Sequence, residues 1–305
     1  MKPRTGLPAD LGPGPFSVGS ALDRGVGAHR LGNPGLSRPF WGVRSLVEPG
    51  NVHDLAAAYL ARRSARHVIS HGSAATLWGI PLPSRFERDE NLHVSVPPEL
   101  TRPRCSGVTG HRSQLRASEV TVLDGIQVTS QARTWFDLAP ALTDEELVGI
   151  GDFLRWRRRP FSLRLSRVDL DLALASFSGR RGLAAINWAL PLLSDRSDSP
   201  PESYLRMRLA SAGLPPTEVN PEIFSPGGTF LAMVDLAWPR QMMAVDYEGD
   251  HHRTDSRQWE KDISRVPNLQ DAGWHHTRVS KADLRSSSAL LDRLDRLLRE
   301  RGWQG

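Results

Sequence analysis

Leu231 to Arg253, LAMVDLAWPRQMMAVDYEGDHHR, reads as two β-strands joined by a tight turn, with acids on both. Side chains alternate across a strand with a period of two. Leu231, Met233, Asp235 and Ala237 therefore share one face of the first strand, and Ala244, Asp246 and Glu248 share one face of the second. Pro239 to Met242 supplies a four-residue turn. This register sets Asp235 opposite Asp246, within reach of a common ion. Three carboxylates on one patch of sheet repel one another unless a cation sits among them. Hard oxygen ligands of this kind suit Mg²⁺ or Mn²⁺. A solvated hairpin could carry acids for solubility alone, but Val234, Met243 and Val245 make both strands at least half buried.

Outward from the hairpin, Glu202 stands near a helix start, followed by Val234-Asp235-Leu236-Ala237-Trp238-Pro239 and Asp246-Tyr247-Glu248-Gly249-Asp250-His251-His252. Asp262, Arg265, Leu269, Gly273 and Trp274 follow. In this ordered set, over about residues 199–283, the chain resembles the PD-(D/E)XK nuclease superfamily, in the branch related to very-short-patch repair endonucleases, and most closely an actinobacterial nuclease-like family of undefined function. The resemblance implies a restriction-endonuclease-like αβββαβα domain over residues 199–305 that hydrolyses DNA with Mg²⁺ or Mn²⁺. It implies that Asp235, Asp246 and Glu248 are catalytic and that these three, with Glu202, hold the metal. The superfamily's Lys two places after the second acid is replaced here by Glu248, which leaves the general-base role unassigned. His251 and His252 offer imidazole to orient water or protonate the leaving oxygen. Adjacent strand residues point to opposite faces, so both serve one site only if the chain has already turned. Arg253 and Arg265 are candidate phosphate contacts, and Arg265 could equally pair with an active-site acid. A zinc site built from these histidines and His275-His276 lacks a supporting Cys or a regular ligand spacing.

The whole chain of 305 residues has room for two domains, with 39% hydrophobic and 24% charged residues, as in ordinary globular proteins. A formal charge of +5 and a pI near 9.9 tilt toward a polyanionic partner. The single cysteine, Cys105, excludes an intrachain disulfide and fits a reducing cytoplasm. No apolar run is long enough to span a bilayer and no basic-then-apolar leader is present, so the expectation is a cytoplasmic protein without membrane insertion.

Residues 1–38, rich in Gly and Pro, read as a mobile segment up to Pro15 with one short helix from Phe16 to Leu31. Helices are expected over Val52–Arg63 with Asn51 as cap, over Asp144–Arg155, Val168–Phe177 and Gly182–Leu190. Strands are expected over Leu92–Val96 and Val108–Arg112, with a hairpin turning at Asp124-Gly125. Phe40-Trp41-Gly42-Val43-Arg44 reads as a short strand after a turn, and this region resembles the winged-helix part of AbiEi-type antitoxins of type IV toxin–antitoxin systems. Ser70-His71-Gly72-Ser73-Ala74-Ala75-Thr76-Leu77-Trp78-Gly79 and the later Thr129-Ser130-Gln131-Ala132-Arg133-Thr134-Trp135-Phe136-Asp137-Leu138 are similar to family signature segments. That resemblance implies a mostly helical, partly winged-helix-like module with small strands over residues 39–193, and a toxin or defence-system partner. His71 has no nucleophile or partner acid nearby in sequence, which favours packing or capping. Arg133 and Asp137 stand at i, i+4, the spacing of a helix-surface ion pair. Arg155-Trp156-Arg157-Arg158-Arg159 is the densest basic run, suited to stacking and phosphate contact, or to a solvated helix end. Leu192 to Pro201, LLSDRSDSPP, reads as a domain boundary.

The fold class expected is therefore α+β or α/β in two parts. The leading functional reading is a Mg²⁺-dependent endonuclease acting in DNA repair or defence. The alternative is a non-catalytic, antitoxin-like DNA-binding regulator with a degenerate nuclease fold. A protein-interaction module has no positive sequence signal.

Overall fold

A computed structural model describes residues 8, 11, 14–63, 66–249 and 266–305. The protein is mixed α and β and divides into two units. The first comprises Met1–Pro140 with Val168–Leu183, and the second Ala141–Arg167 with Ala184–Gly305. In chain order the elements up to the middle are β1 (Phe16–Ser17), α1 (Val18–Asp23), α2 (Ala28–Leu31), β2 (Val43–Arg44), α3 (Val52–Leu60), β3 (Val68–Ile69), α4 (His71–Leu77), α5 (Ser84–Glu87), β4 (Leu92–Val96), β5 (Val108–Arg112), β6 (Val120–Leu123) and β7 (Ile126–Thr129). Next come α6 (Gln131–Leu138), α7 (Asp144–Arg155), α8 (Arg167–Ser176), α9 (Leu183–Ala189), α10 (Pro200–Ser211), β8 (Glu218–Val219), β9 (Glu222–Phe224), β10 (Phe230–Met233), β11 (Leu236–Trp238) and β12 (Met243–Glu248). Residues 266–271 belong to a helix, α11, before β13 (His275–Ser280), α12 (Lys281–Arg285) and α13 (Ser288–Glu300). Among the described residues, no helix is long and apolar enough to cross a membrane.

The first unit holds a five-stranded mixed sheet in the order β5-β4-β3-β7-β6, more sheet than the expected small strands. Asp124 and Gly125 take φ values of +48° and +81° and close the β6–β7 hairpin at the place expected. Tyr59 of α3, Ile69, Val94 and Val128 form the buried seam between helix and sheet. The expected single helix over Phe16–Leu31 is instead a strand and two short helices. The chain breaks at Gly25, whose φ of +78° ends the first helix, and Phe16, Ala21, Val26 and Leu31 bury together. This part of the glycine-rich segment folds because its few aliphatic residues have one another to pack against.

The second unit carries a four-stranded sheet in the order β13-β12-β11-β8. β8, β11 and β12 pair antiparallel, and β13 joins β12 parallel, with Asp246 opposite Arg278. Leu205 and Leu209 from α10 and Leu294 and Leu298 from α13 cover one face against Leu236 and Val245. Ala237, Ala244 and Leu269 are buried in a second cluster. The last helical stretch is interrupted at Ser286-Ser287 and forms α12 and α13.

The stretch LLSDRSDSPP is a hydrogen-bonded strap within the second unit rather than a boundary. The Ser194 amide donates to Asp152 Oδ1 of α7 at 2.6 Å, and Ser197 and Ser203 hydroxyls bond at 2.8 Å. Asp152 is 1% exposed and also accepts from Ser203 and from Arg206 of α10. These bonds tie α7 to α10, so the division between units falls elsewhere. Gly149 lets the two helices approach: a Cβ there would lie 2.7 Å from the Tyr204 ring.

Candidate functional site

The hairpin register is as the sequence dictates. Leu236, Ala237 and Trp238 face Val245, Ala244 and Met243, and the turn closes through Pro239–Gln241 with Met242 left-handed at φ +49°. The expected first strand, however, is not continuous. β10 pairs with β9 in a separate ribbon, and the chain changes sheets at Val234-Asp235. The Asp235 carbonyl accepts from the Asn220 amide at 2.8 Å, so Asp235 sits at a junction rather than inside a strand.

At this junction Asp235 and Asp246 brace each other. The Asp235 amide donates to Asp246 Oδ1 at 2.9 Å, and the Tyr247 amide donates to Asp235 Oδ2 at 2.7 Å. Each carboxylate continues the ladder where the strand pairing stops. Asp246 is 8% exposed, and its Oδ2 lies 2.7 Å from Nε2 of His276 on β13. Two further acids lie elsewhere in the unit. Glu202, 7% exposed at the start of α10, accepts from the Asp198 amide, the Ser199 hydroxyl and Asn220 Nδ2 at 2.8–2.9 Å. Burial pushes its carboxyl above the usual range, against the lowering effect of these donors. Asn220 thus links Glu202 to the Asp235 backbone through its side chain and its amide. Glu248 is exposed and pairs with Arg278 at 3.0 Å. His251, His252, Arg253 and Arg265 lie outside the described residues.

The basic run ending α7 is largely committed within its own unit. Arg155 donates to the Leu193 carbonyl, Trp156 Nε1 to Asp198, and Arg158 pairs with Asp198 at 2.7 Å. Arg159 is buried with its guanidinium 4.4 Å from the centre of the Phe153 ring. Arg157 and Arg158 are the exposed members. A basic run whose side chains grip a strap is a poor phosphate comb, and a tryptophan donating to a carboxylate is not presented for stacking.

In the first unit, Arg133 is buried rather than on a helix surface. It is 2% exposed, bonds Asp137 and Glu119 at 2.8 Å each, and donates to Ser113 Oγ and the Gln114 carbonyl. Burial, partly offset by Arg133, pushes the Asp137 carboxyl up to about 6.

The same unit brings together three histidines that sequence reading did not. His71 begins α4 with φ +50°, a left-handed conformation rare for a residue with a Cβ. The Ser70 amide bonds the His93 carbonyl, and the His93 amide donates to Ser73 Oγ at 2.8 Å, which locks the start of α4 against β4. β5 runs parallel to β4 with Ser95 opposite His111. The His71 and His111 rings stack with centroids 3.6 Å apart, and His93 Nδ1 lies 3.0 Å from His111 Nε2. One ring nitrogen of each lies within 4.8 Å of the others. Among the described residues, Asp235, Asp246, Glu202 and Glu248 form no such group of three. Gly110, next to His111, has no room for a side chain: a Cβ would lie 2.3 Å from the Pro103 carbonyl oxygen.

Comparison with known proteins gives relatives but no activity. An uncharacterized protein of Mycobacterium tuberculosis, in the strains CDC 1551 / Oshkosh and ATCC 25618 / H37Rv, is 29% identical over 254 residues, covering 83% of this chain and 88% of the relative. No family model and no solved structure matches the chain.

Proposed function

We propose that the second unit is a restriction-endonuclease-like domain that hydrolyses phosphodiester bonds of DNA with a divalent metal. The observation that carries the reading is the mutual bracing of Asp235 and Asp246 where the hairpin's strand pairing ends, with His276 on Asp246. The order α10, then antiparallel β8, β11 and β12, then α11, parallel β13 and a closing helix supports the αβββαβα expectation.

Mg²⁺ binds through one or two carboxylates and keeps several waters for the substrate phosphate to replace. The Asp235–Asp246 pair fits that demand without a third carboxylate. When bound, the metal supplies Lewis-acid charge beside the scissile phosphate and activates water. The chain's own residues fix the geometry. The Tyr247 amide orients Asp235, His276 orients Asp246, and Glu202 holds Asn220 against the Asp235 backbone. Glu202 serves as a helix-start cap here, and Glu248 contributes from the rim.

The antitoxin-like regulator is favoured by one observation. Glu202 spends its oxygens on its own helix start and Asn220, and Glu248 on Arg278. The acids would then be framework, and the unit would bind DNA without cutting it. Supercoiled plasmid incubated with the full chain and Mg²⁺ or Mn²⁺ separates the readings. Nicking that requires metal and vanishes in Asp235→Asn supports hydrolysis. Retarded DNA mobility without nicking, unchanged in that variant, supports the regulator.

A further inference from the structure

We propose that His71, His93 and His111 form a binding site in the first unit for a late first-row divalent cation, best matched by Zn²⁺. This is separate from the carboxylates of the second unit and does not rest on their role.

One ring nitrogen of each histidine lies within 4.8 Å of the others, near enough to share one ion once the His71 ring turns out of its stack on His111. Imidazole nitrogens suit Zn²⁺ and its neighbours, whereas Mg²⁺ and Mn²⁺ prefer oxygen. At Zn–N distances of 2.0–2.1 Å, two nitrogens of a tetrahedral centre lie about 3.3 Å apart. His93 Nδ1 and His111 Nε2 are 3.0 Å apart, close to that spacing. Three imidazoles leave a fourth position for water or an incoming group.

The tautomer argument points the same way. Asp89 Oδ2 lies 2.8 Å from His93 Nε2. A carboxylate only accepts, so in the neutral imidazole it takes the Nε2 proton and leaves Nδ1 as a lone pair facing His111. This carboxylate–imidazole pairing is the usual outer support of a metal-ligating histidine. The lone pair at Nδ1 is satisfied either by a proton on His111 Nε2 or by a cation between the rings.

The backbone strain supports a specified position. His71 keeps φ +50° while Ser70 and Ser73 fasten its neighbours to β4. Ser70 Oγ accepts from Ser95 Oγ at 2.8 Å and lies 3.0 Å from His71 Nδ1, so the ring is steered from behind. Strained non-glycine residues persist where surrounding structure over-determines them, and they cluster at binding sites. The rival account is a stack of neutral imidazoles joined by ring hydrogen bonds with no cation.

The test uses the full chain, stripped with a chelator and titrated with Zn²⁺ by calorimetry, with ¹H–¹⁵N spectra of the histidine rings recorded alongside. The expected result is one Zn²⁺ per chain with shifted ring nitrogens of His71, His93 and His111, retained in Asp235→Asn and Asp246→Asn. Asp89→Asn, which keeps all three imidazoles, is expected to weaken Zn²⁺ by about 10–100-fold. His111→Ala is expected to abolish the stoichiometric site. Unshifted ring nitrogens of the three in the wild-type chain would overturn the proposal, even if His111→Ala failed to fold. So would stoichiometric Zn²⁺ binding that survives His111→Ala but is lost in Asp246→Asn.

Discussion

Arg133 in the first unit and Asp246 in the second are both buried charged side chains, 2% and 8% exposed, and their surroundings differ. Arg133 is enclosed by opposite charge: two carboxylates, a serine and a carbonyl occupy its donors. Asp246 accepts from an amide and meets an imidazole. Opposite charge cancels a group's field and commits it to the framework. A backbone amide holds a carboxylate in place without cancelling its charge, and the His276 ring gives Asp246 a second fixed partner. The contrast separates a structural ion cluster from a candidate site more sharply than burial or residue type does.

The contrast breaks most readily at Arg133. Arg133→Met leaves Glu119 and Asp137 buried without their cation and is expected to cost about 3–5 kcal/mol in urea unfolding. A loss under about 1 kcal/mol would mean that the cluster is not framework. The pH dependence sharpens the same point. Asp137 is held up to about 6 in the folded chain, above an unfolded value near 3.9. The folded state therefore holds the extra proton between these values, and stability from this group is full below about pH 4 and is lost as pH rises through about 6. Asp137→Asn should flatten that slope, by up to about 3 kcal/mol across the window.

Asp246→Asn tests the other side. An amide keeps the acceptor for the Asp235 N–H, so unfolding free energy should fall by only about 1–2 kcal/mol, while metal-dependent nicking is abolished. A stability loss of about 3 kcal/mol or more in this variant, with no nicking in wild type, would move the acids to the framework side. The smallest effect belongs to Glu248→Gln. Its exposed pair with Arg278 is worth about 0.5 kcal/mol or less, so any larger change in nicking rate reports chemistry rather than folding.

Local signals carried much of this architecture. Thr143 and Glu146 bond reciprocally at the start of α7, which spans Asp144–Arg155 as the sequence spacing predicts. The Asp235–Asp246 register follows from alternation and a Pro-led turn, both readable within one short window. What escaped reading depends on packing between distant segments. The i, i+4 spacing of Arg133 and Asp137 does not say which helix face meets Glu119. The histidines come from a helix start and two parallel strands, and only the β4–β5 register, with Thr109 opposite His93, brings His111 two places on within reach of the His93 ring. The strap LLSDRSDSPP has linker composition, yet its short polar side chains are what bond α7 to α10.

The absent side chain at Gly110 has its own consequence. A library that varies every position of β5 should find Gly110 as intolerant as its neighbour His111, although glycine performs no chemistry there. A substitution tally alone would therefore list a bystander among the functional residues, and only the steric limit set by the Pro103 carbonyl tells the two apart.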